Sequence, residues 1–499
     1  MAEQAENQEK QLQQEAQGVE LNEFEALLQK NFKPKSDEMS SAVKNAVQTL
    51  AQQALEETSL ISDDAIDTIE KIIAVIDEKI SHQVNQIMHH PDFQELESTW
   101  RGLSYLVNNT ETDESLKIRV LNLPKNEAAK QVKKYKGVSW DQSPLFKKIY
   151  EEEFGSPGGE PYGCLVADYM FDHTPSNLNL LQGMAKIASA AHAPMLTSPS
   201  PSLLNMDSWQ ELSNPRDLTK IFQTGDYASW RSFRDSEDSR YVCMAMPRFL
   251  SRLPYGADTN PVEEFAFEED TDGKDHSKYL WSNAAYAMAT NITRAFKNYG
   301  WCSKIRGVES GGIVEELPCH TFPTDDGGVD MKCPTEIAIT DRREAELSKN
   351  GFMSLCHWKN QDYAAFIGAQ TLHKPAEYDD PDATANDNLA SRLPYLFAVC
   401  RFAHYLKTIV RDKIGSFKER EDMQNWLNDW ITKYVCTDPN ASEEVKAQYP
   451  LASAEVKVED IEGNPGYYSA KFYLRPHYQL EGLSTSLRLV SKLPSAKNS

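Results

Sequence analysis

The feature that most constrains this chain lies in its middle third, where an apolar run, a helical period and a second apolar run follow one another directly. Residues 163–171 (GCLVADYMF) are almost continuously apolar, the pattern of a strand covered on both faces. Residues 177–191 carry apolar side chains at helical spacing, and residues 195–197 return to a short apolar run. Residues 240–246 predict a further strand and residues 277–298 a further helix. Strand, helix, strand in this order predicts an α/β fold, because parallel strands need a crossover that a helix supplies.

The pattern changes on either side of this core. Residues 1–17 are rich in Gln and Glu without apolar periodicity and read as a disordered tip. Leu21, Phe24 and Leu28 then recur at helical spacing with Leu27 beside them, until Pro34 stops the run. A second helix carries Val43, Val47, Leu50 and Ala54. Ser62 suits the N-cap of a long third helix with the stripe Ile66, Ile69, Ile73, Ile76 and Ile80, prolonged by Val84 and Ile87 as far as Pro91. A fourth helix holds Leu96, Trp100, Leu103 and Leu106, and Leu116, Ile118 and Val120 alternate as a strand does.

Toward the C-terminus, the acidic, proline-containing stretch 371–388 predicts a domain boundary, followed by helices over 393–411 and 423–434. The tail predicts a β meander. Ala454, Val456 and Val458 alternate with Glu455, Lys457 and Glu459, and residues 463–466 (GNPG) make a turn. Tyr468, Ala470, Phe472 and Leu474 alternate with Ser469, Lys471, Tyr473 and Arg475, and a last strand covers 485–490. The expected organisation is an N-terminal tip and helical arm (1–60), an α/β core (61–372) and a C-terminal domain with the meander (373–499). The pentapeptide SRLPY occurs at 251–255 and again at 391–395, too short a match to make a repeat array.

Composition narrows the class. With 499 residues the chain has room for two to four domains of about 150 residues each. Lys plus Arg is 52 against 75 for Asp plus Glu, a formal charge of −23 that argues against broad affinity for nucleic-acid phosphates or anionic lipid. No apolar run approaches the roughly 18 residues of a membrane span, and the first ten residues (MAEQAENQEK) lack the basic start and apolar stretch of an export signal. A cytoplasmic chain with its eight cysteines reduced is the expectation.

Catalytic signatures are sparse. Gly155, Gly158, Gly159 and Gly163 precede a strand instead of opening a helix, and Gly307, Gly311 and Gly312 lack the Lys-Ser/Thr pair of a phosphate loop, so both clusters read as turns. Cys319-His320 with Cys333, and Cys356-His357, bring soft ligands close in sequence, but without the spacing of a zinc site. His89-His90 before Pro91 suits a helix end better than a ligand pair. There is no Gly-x-Ser-x-Gly elbow, and the paired acids Glu263-Glu264 and Glu268-Glu269-Asp270 fit a solvated face. No cofactor, metal or catalytic residue is expected.

Two interaction features remain. The Leu21/Phe24/Leu28 helix is marginal alone in water and either packs on its own domain or docks in a partner's groove. The C-terminal meander has open edges unless it joins the chain's own sheet or is completed by another subunit.

Six stretches go further. Residues 100–103 (WRGL), 145–163 (LFKKIYEEEFGSPGGEPYG), 238–256 (DSRYVCMAMPRFLSRLPYG), 279–287 (YLWSNAAYA), 391–407 (SRLPYLFAVCRFAHYLK) and 474–494 (LRPHYQLEGLSTSLRLVSKLP) together resemble the large subunit of the bacterial type VI secretion contractile sheath, the TssC (VipB) family. The resemblance runs from about residue 21 to residue 494. It implies a tail-sheath-like fold and a structural, non-enzymatic role. It further implies pairing with the small sheath subunit TssB (VipA), polymerisation on a baseplate around the Hcp tube, contraction, and disassembly by the AAA+ ATPase ClpV. It places Leu21, Phe24, Leu27 and Leu28 at the position where some members carry a ClpV-recognised helix. It makes Tyr468, Ala470, Phe472, Leu474, Thr485, Leu487, Leu489 and Val490 intersubunit strand residues. The alternatives are a phage-derived contractile tail sheath, which usually needs no small partner, and a cytosolic α/β hydrolase built on Cys356 and His357.

Overall fold

The structure, a computed structural model, describes residues 41, 45, 65–214, 217–324, 326–416, 419–461 and 468–480. Leu21, Phe24, Leu27 and Leu28, the helix residues Val43, Val47, Leu50 and Ala54, Ser62, the turn at 463–466 and the strand at 485–490 lie outside the described residues. The helices used below are α1 (Ala65–Met88), α2 (Pro91–Asn108), α3 (Pro175–Ala191), α4 (Ala284–Tyr299), α5 (Pro381–Ala390), α6 (Leu393–Lys413) and α7 (Arg420–Thr432). The strands are β1 (Leu165–Phe171), β2 (Met195–Pro199), β3 (Val242–Met246), β4 (Ile313–Val314), β5 (Thr321–Pro323), β6 (Val329–Met331), β7 (Phe352–His357), β8 (Ala364–Phe366), β9 (Leu451–Asp460) and β10 (Tyr468–Pro476).

Two compact units are formed, one from Met1–Gln94 with Leu253–Lys278 and the other from Glu95–Arg252 with Tyr279–Ser499. In the first, the Asn85 side chain donates to Glu268 O at 3.0 Å and accepts from Asp270 N–H at 2.9 Å, fastening the acidic loop to the end of α1. The acids of that loop are thus partly structural: Glu269 is buried, and its carboxylate lies 3.5 Å from the His89 ring. The apolar stripe of α1 is poorly covered, with Ile73 and Ile87 about half exposed.

The second unit contains the predicted α/β sheet, in the order β1-β2-β3-β7-β8-β4. β1, β2, β3 and β7 run parallel, while β8 and β4 are antiparallel additions. Its register puts Met195 opposite Val242 and Met244 opposite Phe352. Alternation then divides the strands between two cores. Met195, Val242, Met244, Met246 and Phe352 join one with Leu181, Trp209 and Trp230. Leu196, Cys243, Ala245, Met353 and Leu355 join the other with α4. Both faces are covered, which is why these strands read as unbroken apolar runs.

Two sequence expectations are corrected. Residues 116–120 are in no strand: the alternation is present, but the segment is held by ion pairs of Lys117 and Arg119 with Glu153 and Glu160 instead of a backbone ladder. The helix expected over 277–298 begins only at Ala284, because Trp281-Ser282 pairs antiparallel with Phe249-Leu250 and Asn283 then caps the helix, accepting from Ala285 N–H at 2.9 Å.

α2 approaches α4 closely. A Cβ on Gly102 would lie 2.5 Å from the Tyr286 ring, so only glycine fits this crossing undisturbed. Beside it Asp168 of β1 accepts from Thr99 (2.8 Å), Asn283 (3.0 Å) and Tyr286 (3.2 Å), joining both helices to the sheet through one carboxylate. Residues 371–374 are tied into the same unit: Leu372 N–H donates to Val242 O at 2.8 Å and Lys374 N–H to Arg234 O at 2.9 Å, and the acidic stretch beyond them folds into α5.

Candidate assembly site

The structure brings Ser239, His373 and Asp387 into one line, with Ser239 Oγ 3.2 Å from His373 Nδ1 and His373 Nε2 3.6 Å from Asp387. The order suggests a hydrolytic triad, but the chemistry does not. Ser239 is fully buried and its hydroxyl bonds the carbonyls of Arg234 and Ser236. Asp387 is taken up by the Arg240 guanidinium and by Ala376 N–H at 2.7 Å. The cluster pins the C-terminal half of α5 to the segment that leads into β3; a substrate has no access to its serine.

Cys356 and His357 are neighbours on β7 and therefore point to opposite faces. Cys356 enters the first core, where burial pushes its thiol up to about 12, so it is a poor nucleophile. His357 turns away and donates from Nε2 to Gln361 O at 2.8 Å. The glycines behave as turn residues: a Cβ on Gly312 would lie 2.5 Å from Phe366 O, and Gly307 and Gly311 have positive φ. Among the described residues, no group of three or more His, Cys, Asp or Glu could hold a metal, and no helix is long and apolar enough to cross a membrane.

The C-terminal strands carry a different kind of site. β9 and β10 form a two-stranded antiparallel sheet of their own, with Val456 opposite Phe472 and Val458 opposite Ala470. α7 covers one face: Leu427, Ile431, Leu451, Val456 and Val458 are buried with Phe402 and Trp301, and Tyr468, Phe472 and Leu474 pack against them. Ala470 is exposed despite its place in the apolar alternation. The other face is polar, with Lys471 bonded to Glu459 at 2.7 Å, an exposed pair that contributes little stability.

The two edges of this hairpin differ. Val456 N–H donates to Asn428 Oδ1 at 2.9 Å and Val458 N–H to Gln424 Oε1 at 3.1 Å, so the outer edge of β9 is plugged by side chains of α7. Those amides point away from β10, which makes Val456–Phe472 and Val458–Ala470 the non-hydrogen-bonded pairs of the ladder. The backbone groups of Phe472 and Ala470 then face outward from β10, and among the described residues no strand pairs with them. Sequence alternation picked out Tyr468, Ala470, Phe472 and Leu474 but not the plug. Its only sequence signal is Gln424 and Asn428 at i, i+4, on the helix that carries Leu427 and Ile431. Beyond β10, Gln479 is anchored by Arg306 at 2.8 Å and by the Tyr395 hydroxyl, which accepts from its N–H at 2.9 Å.

Comparison with known proteins gives this edge a context. The EvpB/VC_A0108 tail sheath N-terminal domain matches residues 70–373, and the EvpB/VC_A0108 tail sheath gpW/gp25-like domain matches residues 382–493. The chain belongs to the EvpB/VC_A0108 tail sheath family. A relative from Pseudomonas aeruginosa, "Type VI secretion system sheath protein TssC1", is 71% identical over 479 residues, covering 96% of each chain. Membership in the type VI sheath large-subunit family, expected from the six stretches, is thereby shown, in preference to a phage-derived sheath. Among solved structures, the baseplate of the anti-feeding prophage matches with a TM-score of 0.36 and 10% identity, over 76% of this chain and 84% of that one. The contracted helical sheath of the same prophage matches with a TM-score of 0.26 and 11% identity, over 62% and 74%.

Within this tail sheath chain, several of the six stretches meet one another. Gly102 of the first meets Tyr286 of the fourth, Phe249 of the third pairs with Ser282 of the fourth, and Phe154 of the second lies 5.0 Å from the His404 ring of the fifth. Of these stretches, 391–407 supplies Phe402 to the core beneath the hairpin.

Proposed function

We propose that the chain is a non-enzymatic, force-transmitting subunit of a type VI secretion contractile sheath, and that it polymerises by strand addition at the outer edge of β10. The observation that carries this reading is the asymmetry of the hairpin: α7 blocks strand addition at β9, while β10 presents the amides and carbonyls of Ala470 and Phe472. Each added strand contributes backbone hydrogen bonds worth about 0.5–1.5 kcal/mol net apiece, repeated at every lattice point. Such links tether subunits while the α/β unit moves as a rigid body.

The partners proposed with it are the small sheath subunit TssB (VipA), further copies of the chain, the baseplate and the Hcp tube, in the cytoplasm. ClpV is the proposed disassembly factor, reading Leu21, Phe24, Leu27 and Leu28. Thr485, Leu487, Leu489 and Val490 are proposed as the strand given to a neighbour. Exchange of surfaces between neighbouring subunits on contraction would supply the work.

The test is electron microscopy of the full chain co-expressed with its candidate small partner. Wild type should form hollow tubules. Ala470→Pro removes one outward amide and no hairpin bond, so it should leave soluble, folded complexes without tubules. Tubules of normal length and number from that variant would overturn strand addition at β10.

A further inference from the structure

Three side chains that the assembly does not use lie together at the base of the β5–β6 hairpin. β5 and β6 pair antiparallel with Thr321 opposite Met331 and Pro323 opposite Val329. Lys332 N–H donates to His320 O at 2.7 Å, closing the last rung of the ladder, and Cys319 and Cys333 are the residues just beyond it on the two sides. The Cys333 charge acts on the Cys319 thiol, so the two are near neighbours, and one step further in the same register would set them opposite each other. By the alternation of the ladder this is a non-hydrogen-bonded position, where facing Cα atoms lie about 4.5 Å apart, inside the roughly 4.4–6.8 Å range of disulfides.

Both thiols are partly exposed, unlike the buried Cys243, Cys356 and Cys400. Cys333 Sγ lies 3.2 Å from Thr335 Oγ1 with the His357 ring beside it, while Cys319 Sγ–H donates to Leu317 O at 3.4 Å. Because His357 Nε2 is occupied by Gln361 O, Nδ1 is the nitrogen left to meet the sulfur. Burial raises the Cys333 thiol, but His357 and Thr335 outweigh it and hold the group below its ordinary value. Burial, with Asp362 and Cys333 adding to it, raises the Cys319 thiol. One sulfur is prepared as a nucleophile and the other stays protonated beside it.

We infer that Cys319 and Cys333 form a peroxide-responsive dithiol that closes into an intramolecular disulfide across the base of this hairpin. The Cys333 thiolate attacks one oxygen of hydrogen peroxide, forming S–O as O–O breaks. The departing hydroxide takes a proton and leaves as water, and Cys333 becomes a sulfenic acid. The Cys319 sulfur, giving up its proton, attacks the Cys333 sulfur; S–S forms, S–O breaks, and the hydroxyl leaves as a second water. Two thiols lose two electrons and one peroxide gains them. The bond would staple the hairpin where Pro334 O accepts from Leu250 N–H at 2.8 Å and Glu336 N–H donates to Arg248 O at 2.9 Å, fixing a surface excursion to the core.

The experiment treats the reduced full chain with hydrogen peroxide, alkylates the remaining thiols and digests with trypsin. Cleavage after Lys332 separates residues 307–332 from 333–342, so the disulfide reads as a cross-linked peptide pair that dithiothreitol releases. That cross-link should form before any other cysteine is oxidised. Cys319→Ser should leave Cys333 as a sulfenic acid trapped by dimedone. His357→Asn should slow the reaction about tenfold at neutral pH through the lost thiolate fraction. With the circular dichroism of the native chain unchanged, absence of the cross-link, or reaction of Cys333 no faster than that of the likewise partly exposed Cys436, would overturn the inference.

Discussion

The central sheet and the C-terminal hairpin are built from strands of the same alternating kind, yet they end in different conditions. All five residues of β3 are buried, alternate side chains entering one core and then the other. In β9 only Leu451, Val456 and Val458 are buried, and β10 has no fully buried residue at all. The sheet has cover on both faces from its own chain, whereas the hairpin has α7 on one face and along one edge. A strand pair with a single covered face is marginal by itself, and it keeps an edge for whatever completes it. The core serves stability, and the hairpin keeps the edge at which assembly is proposed.

That contrast is most exposed to a pair of truncations. Phe352→Ala at the fully buried start of β7 should cost about 3–5 kcal/mol in urea unfolding, while Phe472→Ala on the half-buried β10 should cost about 1 kcal/mol. Equal losses would erase the distinction.

Acid provides the next largest effect. His404 on α6 donates from Nε2 to Ala191 O at 2.9 Å, and burial, helped by His192, Arg401 and Lys407, pulls its pKa down to about 4. The unfolded chain therefore binds this proton before the folded one does. Stability is complete above pH ~6.5, falls as the pH drops toward about 4, and by then has lost on the order of 3 kcal/mol. His404→Gln keeps a donor for Ala191 O and should flatten the unfolding free energy between pH 7 and pH 4.5. An unchanged slope would show that the acid sensitivity lies elsewhere.

A smaller change probes the scaffold. Gly102→Ala sets a methyl against the Tyr286 ring and should cost about 1–3 kcal/mol, read as a lower thermal midpoint. The smallest effect on stability is expected of Ala470→Pro, which should stay within about 1 kcal/mol of wild type while the proposed strand addition fails. Lys471→Pro, one residue along, breaks a hairpin bond and should cost about 3 kcal/mol. If both prolines destabilise equally, the assignment of outward and inward amides on β10 is wrong.

Long, strongly patterned elements were legible in the residues. α2, α3, α6, α7 and the strands β1, β2 and β3 lie within a few residues of their expected positions, because period and apolar content agree there. Local pattern failed where a distant partner decided the outcome. The five residues SRLPY are extended loop at 251–255, yet at 391–395 they lead into α6. What differs is the sequel: Gly256 and a polar stretch follow the first copy, and Leu396 with a helical period follows the second. Residues 116–120 alternate like a strand but meet no ladder, and residues 281–282 sit in a helical pattern but pair with Phe249 and Leu250.

The division between chain and fold is clearest at the sites. By itself the sequence determined the α/β class, the alternating tail and the family, since these rest on side-chain period and on long matching stretches. Only the tertiary structure set Gln424 and Asn428 against one edge of the hairpin and left the other without a strand among the described residues. Only it parted Cys356 from His357 and brought Cys333, 24 residues away along the chain, to that imidazole. Hydrogen bonds between distant backbone and side-chain groups depend on register and packing, and neither is written in any local period.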